Sequence, residues 1–281
     1  MEVPNMADTN PGKDSATTSF SKDMSYADYL SLDSILGAQR PKSAAHDEML
    51  FIIQHQTSEL WMRLCLHELS TARTHLINQE IEPAMKMLTR VARIFEQLNN
   101  AWDVLRTMTP SEYTQFWDNL GAPSGFQSHQ YRLIEFMLGN RNFAMMKMHE
   151  HRSELYNMLE QELQIKSLYQ VVLDLLSKAT NTIFSATVYS TDTPHLANDA
   201  VMSAWIEIYQ DPQQNWALYE LAEKLVDLED YFRRWRFNHV TTVERIIGFK
   251  RGTGGTSGVK YLRRMLEVEL FPELWNLRGI L

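Results

Sequence analysis

A single cysteine, Cys65, occurs in the 281 residues. No internal disulfide can form, so a reducing, cytoplasmic setting is the simple expectation. Long apolar runs are also missing. The run nearest to a membrane candidate is Met49–Ile53, far short of the roughly 20 residues that a spanning helix needs. Positive charge is scarce: 27 Lys and Arg stand against 35 Asp and Glu, for a net charge of −8. With no basic tract there is no electrostatic footprint for nucleic acid or for an anionic membrane. The opening stretch, MEVPNMADTNPGKDSATTSFSKD, has no apolar core and does not read as a secretory signal. Residues 1–22 are expected to be a disordered tail, and residues 23–281 one helical domain. Glycine and proline are few, at 11 and 9, and period-two alternation is rare, which disfavours a sheet protein.

What is present instead is helical periodicity, and the fold class expected is all-α. One long helix is expected from Asp47 to about Asn78, with Leu50, Ile53, Leu60, Leu64 and Ala72 among its apolar positions. Pro83 opens a second. Its stripe is Leu88, Val91, Phe95, Leu98, Trp102 and Leu105, at steps of three and four. Thr109-Pro110-Ser111-Glu112 reads as a capping box with proline at the first helical position. The helix it starts carries Tyr113, Phe116 and Trp117, and Gly121 stops it. Further helices are expected near 127–138, 142–163, 167–180 and 199–209. A last long helix runs from about Asp211-Pro212 to Gly248, striped by Leu228, Phe232, Trp235, His239, Thr242 and Ile246. A glycine-rich segment, 249–258, and a short helix from Val259 follow. The 44% of hydrophobic residues is ample for a core at this length.

Familiar catalytic motifs are absent. There is no CxxC pair, no HExxH and no nucleophile elbow. The glycine-rich loop follows no strand and is neither a Walker A nor a dinucleotide fingerprint. It reads either as an anion cradle of backbone N–H groups or as a plain turn. His149-Glu150-His151 is expected to be a solvated helix turn, since positions two apart do not share a helix face. Two histidines stand out. His239 follows Phe232 and Trp235 on an apolar face; it is either a core histidine bonded to a carbonyl or an axial ligand to a haem iron. His55, in Phe51-Ile52-Ile53-Gln54-His55-Gln56, is either a satisfied core residue or a polar group aimed into a pocket.

Three stretches carry a resemblance that covers about residues 25–277. The first is Tyr26-Ala27-Asp28-Tyr29-Leu30 with the run from Asp47 to Trp61. The second is Ser124-Gly125-Phe126-Gln127-Ser128 with Gln130-Tyr131-Arg132. The third is Leu225-Val226-Asp227, Trp235-Arg236-Phe237, His239 and the run from Phe249 to Gly255. In order and spacing these are similar to the tryptophan 2,3-dioxygenase family. The resemblance implies an all-helical homotetramer with one haem b per subunit, taking an indole substrate and dioxygen. It implies cleavage of the indole C2–C3 bond of L-tryptophan to N-formylkynurenine, the entry to the kynurenine pathway of tryptophan catabolism. By the same likeness His239 is the haem ligand and His55 the distal residue that accepts the indole N–H. Phe51 is the wall over the ring, with Ile52, Ile53 and Gln54 beside it. Tyr113 and Ser124 line the pocket, Trp102 lies near the haem, and Thr253 meets the substrate ammonium. Tyr26 and Tyr29 reach a neighbouring subunit's site.

Two positions depart from that pattern. Trp117 stands where the family has the arginine that pairs with the substrate carboxylate, and Asn238 stands where it usually has arginine. An indole side chain cannot form a bidentate ion pair. Besides L-tryptophan, Trp117 therefore leaves open an indole lacking a carboxylate, such as tryptamine. An inactive haem-binding paralogue and a cofactor-free helical scaffold are the remaining readings.

Overall fold

The computed structural model describes residues 23–120, 125–189, 196–248 and 258–281. Ser124 and Thr253 lie outside these residues. The chain divides into two compact units, Met1–Arg40 and Pro41–Leu281. In the first, the described residues form α1 (Tyr26–Leu30) and α2 (Leu32–Leu36). Ser25 and Asp28 close a capping box on α1, and Tyr26 and Tyr29 are exposed.

The second unit contains α3 (His46–Ile77), α4 (Ile81–Leu105), α5 (Pro110–Leu120), α6 (His129–Leu138), α7 (Ser153–Gln164), α8 (Leu168–Thr180), α9 (Asp199–Gln210), α10 (Trp216–Ile246), α11 (Val259–Met265) and α12 (Pro272–Asn276). No strand occurs among the described residues, so the all-α expectation holds. No helix of these residues is long and apolar enough to cross a membrane.

Three long helices form the frame: α4 packs on α3 along one side and on α10 along the other. The α4 stripe is buried as expected, from Leu88 through Leu105. So is the α10 stripe at Leu228, Phe232, Trp235, Thr242 and Ile246. The α3 stripe differs. Ile53, Leu60 and Leu64 are exposed, and the buried face is Met62, Cys65, Leu69, Ala72 and Leu76, at heptad-like steps of three and four. α3 carries apolar residues around most of its circumference, so periodicity alone does not select a face; contact with α4 does.

Two boundaries also differ. The stretch expected as one helix over 142–163 is a 3-10 segment, Phe143–His149, followed by α7. The tighter winding eclipses residues three apart, which turns both Met146 and His149 inward, where they are buried. His149 is therefore not a solvated turn, although its neighbour His151 is exposed. The start of α10 lies beyond Asp211-Pro212 because Asp211 is used locally. Its carboxylate accepts from the Gln214 N–H (3.2 Å), and its carbonyl accepts from Asn215 Nδ2 (3.2 Å).

Buried charges tie the helices together, each one partnered. Arg73 of α3 pairs with Glu162 of α7. Arg141 donates to the α7 end at the Leu163 carbonyl and to the Phe136 carbonyl at the end of α6, both at 3.1 Å. Glu229 of α10 accepts the N–H groups of Leu270 and Phe271 at 2.6 and 2.9 Å. At the centre Glu135, 1% exposed, accepts from Arg236 Nη2 (2.8 Å) and Asn140 Nδ2 (3.1 Å) and pairs with Arg132.

Candidate active site

α3, α4 and α10 meet around a concave cleft lined by apolar and polar side chains, the usual setting of a small-molecule or cofactor site. Gln54, His55, Ser58, Glu59 and Met62 line it from α3, Trp102 and Leu105 from α4, and Trp235 and His239 from α10. Gly125, Ser128 and Tyr131 close the remaining side. The two histidines singled out in the sequence thus face one cavity from different helices.

His55 is oriented by its own helix. Its Nδ1 lies 2.7 Å from the Phe51 carbonyl, four residues earlier. A carbonyl only accepts, so Nδ1 carries the proton and Nε2 presents a lone pair to the cleft. Burial pushes the His55 pKa below its ordinary value, against smaller opposing effects of the Phe51 carbonyl and of Glu59. The neutral tautomer is the resting form at neutral pH. Glu59 is held in turn by Gln130 Nε2, which donates to its carboxylate (2.7 Å) and its carbonyl (2.8 Å).

His239 packs against two indoles that also touch each other, with Trp102 and Trp235 centroids 5.7 Å apart. Trp102 stacks on it with centroids 5.0 Å apart and planes 15° apart, and Trp235 lies 5.6 Å away. Burial, and secondarily the nearby His55, lower its pKa to about 4. Neither ring nitrogen has a hydrogen-bond partner among the described residues, which leaves a neutral imidazole with a donor electron pair for a metal. The indole N–H of Trp102 is also buried without a partner among the described residues. A single neutral imidazole, flat aromatic walls and an unused N–H donor fit an iron porphyrin, which needs one axial ligand, apolar faces and donors for its carboxylates. The described residues hold no cluster of three metal-ligating groups that would suit a bare ion instead.

Phe51 packs on the His55 ring at 4.2 Å and meets Tyr113 and Phe116 of α5 at 6.1 and 5.7 Å. Trp117 joins this aromatic group edge-on to Tyr113 at 5.1 Å and is half-buried against the core. Gln54 lines the cleft and Ile52 is half-buried. Ile53 does not line the cleft: it is 46% exposed, because two residues of helix turn it about 200° from His55. Arg132, a cation near the site by sequence, is buried and committed to Glu135. Asn238 bonds across the helix pair to Asn99 (2.9 Å) and Arg106 (3.0 Å).

Sequence reasoning passed over Ser58, Glu59, Met62 and Ser128 as cleft residues. Their signal was available for the first three, which follow His55 at i+3, i+4 and i+7 on one helix face. It also missed the role of Tyr131 and Arg236 beside the site. Tyr131 stacks on Trp235 at 4.9 Å, and its hydroxyl accepts from Arg236 Nε at 3.2 Å. Tyr131 and Trp235 line the cleft, and Arg236 braces Tyr131 from outside it.

The fold and the cleft define an all-helical protein whose paired histidines and aromatic walls suit a flat prosthetic group and an aromatic ligand. The chain belongs to the tryptophan 2,3-dioxygenase family, whose model matches residues 11–182 and 189–281. A tryptophan 2,3-dioxygenase of Ruegeria pomeroyi is 68% identical over 271 residues, covering 96% of this chain and 98% of its own length. One from Bradyrhizobium diazoefficiens is 65% identical over 277 residues, covering 98% and 99%. One from Ralstonia pickettii is 58% identical over 265 residues, covering 94% and 95%.

Proposed function

We propose that this chain is a haem b enzyme that inserts both atoms of dioxygen across the indole C2–C3 bond of L-tryptophan, giving N-formylkynurenine in tryptophan catabolism. The observation that carries the reading is the His55–His239 pair facing one aromatic cleft, one with its lone pair held inward and the other free to ligate. His239 would hold the haem. When bound, ferrous haem supplies the one-electron access that ground-state dioxygen needs. His55 accepts the indole N–H at Nε2, which fixes the ring and stabilises charge developing on it without removing the proton outright. Phe51, backed by Tyr113 and Phe116, covers the ring and excludes water. The tryptamine reading is set aside, because relatives of 58–68% identity along nearly the whole chain carry tryptophan 2,3-dioxygenase names.

The direct test is a Soret band in the purified protein together with oxygen uptake and N-formylkynurenine formation on L-tryptophan. His55→Ala is expected to retain haem and lose about 10- to 100-fold in kcat/KM, the scale of one positioning hydrogen bond. Loss of haem in that variant would give His55 a different role. For the wild type, kcat/KM should stay flat as pH falls through about 6.5, the ordinary histidine value. The depressed pKa keeps His55 neutral there, and the rate should drop only at lower pH. A rate that halves near pH 6.5 contradicts this.

Trp117 acts in this reading as packing on Tyr113 rather than as a carboxylate ligand. Trp117→Arg should therefore leave kcat/KM for L-tryptophan within about threefold. It should cost about 0.5–1.5 kcal/mol of stability, the worth of an aromatic pair beyond its area. A gain of tenfold or more would mean that the carboxylate lacks a cation in the native protein. The other cations first considered near the site, Lys250 and Arg251, lie outside the described residues.

The subunit is proposed to be cytoplasmic and to assemble as a homotetramer, with Tyr26 and Tyr29 placed at a neighbour's site. Met49, Ile53, Leu60 and Leu64 form an exposed apolar line along α3 in the single chain, a surface that assembly would cover. Light scattering should give four subunits, and Leu60→Glu should lower that number; a wild-type monomer contradicts the assembly.

A further inference from the structure

We infer that Arg106 is a positioning residue for His239: one guanidinium, reaching across from the end of α4, holds the turn of α10 that presents the imidazole. The inference rests on the haem reading above and adds a residue to it.

Arg106 Nε donates to Thr242 Oγ1 at 2.8 Å. Its Nη2 faces three acceptors: the Asn238 carbonyl (3.2 Å), Asn238 Oδ1 (3.0 Å) and Thr241 Oγ1 (2.6 Å). These partners flank His239 on both sides, one residue before it and two and three after it. Asn238 is tied further to Asn99 of α4 at 2.9 Å. Arg106 is itself fixed at its backbone. Its N–H donates to the Trp102 carbonyl (2.9 Å), and its carbonyl accepts from Arg245 Nε (3.0 Å). Trp102, one helical turn earlier, stacks on the His239 ring. A single face of α4 therefore grips the ring with one side chain and its backbone turn with another.

The magnitudes make this grip matter. Rotating α10 by about 10° moves an atom about 6 Å from the helix axis by about 1 Å. Metal–ligand distances tolerate about 0.2 Å. Apolar packing is non-directional and restrains such a rotation weakly, whereas a fork bonded to Asn238, Thr241 and Thr242, on both sides of His239, opposes it directly. Arg106 is paired on its outer side with exposed Asp103 at 3.4 Å, which balances part of its charge. The remaining positive potential near His239 would favour the ferrous over the ferric state of a bound haem, because it repels the more positive one.

The test uses haem-loaded protein. Arg106→Met keeps the apolar stem and removes the fork. Haem stoichiometry should stay at the wild-type level, since His239 remains. The ferrous iron–histidine stretching band should shift and broaden, the midpoint potential should fall, and haem transfer to apomyoglobin should quicken about tenfold. Arg106→Lys should recover the potential, because the charge returns, but not the band, because a point donor cannot bridge the same partners. Thr242→Val, which deletes one acceptor from an otherwise intact protein, should move the band the same way by less, and it decides the matter if Arg106→Met fails to fold. A band, potential and transfer rate at wild-type values in these variants, with only a lowered Tm, would make Arg106 simple packing and overturn the inference. A wild type without an iron–histidine band, or a His239→Ala variant that keeps one, overturns the haem reading itself and this inference with it.

Discussion

His239→Ala is expected to leave the cleft without haem and to lower turnover of L-tryptophan by at least about a thousandfold. The argument is one of donors. Among the cleft residues of α4 and α10, His239 alone has a nitrogen electron pair with no competing hydrogen bond. His55 also presents a lone pair, at Nε2, but on the opposite wall, where its Nδ1 is held by the Phe51 carbonyl of α3. Removing the imidazole therefore leaves no second ligand on that wall, and Met62, the one cleft thioether, lies on α3. The measurement is haem per subunit by the pyridine haemochrome, with the ferrous spectrum recorded alongside. Stoichiometric haem and an unchanged spectrum would place the ligand elsewhere. Imidazole added in solution should restore part of the binding, since the cavity left by the side chain has the right shape and walls.

Glu135→Ala is expected to be the most destabilising single change away from the cleft, by about 3–5 kcal/mol, which is the cost of breaking a buried ion pair by removing one partner. Here one carboxylate serves two guanidiniums, Arg132 and Arg236, which are 4% and 3% exposed. Without it both cations remain buried, and Arg236 retains only the Tyr131 hydroxyl and the Met265 and Val268 carbonyls. For a chain of this size the loss corresponds to a Tm lower by roughly 10 °C. Glu135→Gln keeps the volume and one acceptor oxygen but turns the other into an N–H donor facing a guanidinium, so its loss should fall between that of wild type and that of Glu135→Ala. Urea denaturation of the three proteins under one set of conditions checks the order. A Glu135→Ala variant within 1 kcal/mol of wild type, on the order of a surface change, would mean that water or a neighbour takes over the pairing. The damage should also reach the cleft, because Arg236 holds the hydroxyl of Tyr131, which lines it.

How much of this was readable beforehand varied with the kind of signal. The α4 and α10 stripes were legible because each helix has one apolar face and one polar face, so period and partner agree. α3 was not. Its sequence offers apolar residues on most sides, and the burial of Met62, Cys65 and Leu69 in place of Leu60 and Leu64 is decided by α4, which no local pattern encodes. The split of 142–163 into a 3-10 segment and α7 was hidden for a similar reason: tertiary burial of His149 overrides helical propensity. In the site, His55 and His239 were legible as candidates on their own faces, but not their convergence, which depends on how α3 and α10 both cross α4. The tautomer of His55 was within reach of sequence reasoning, since a side chain at position i+4 of a helix can meet the carbonyl at i. The grip of Arg106 was not, because its partners are more than 130 positions away along the chain.

The lone cysteine carries a practical consequence. Cys65 sits with no exposure on the face of α3 that meets the core, and burial holds its thiol protonated well above the ordinary cysteine range. A thiol reagent in solution thus has one target in the chain, and no access to it while α3 lies on α4. Each modification event records a separation of those two helices. The protein carries its own clock for core opening, and because α3 bears His55 and α4 bears Trp102, that clock times the same parting that would dismantle the cleft.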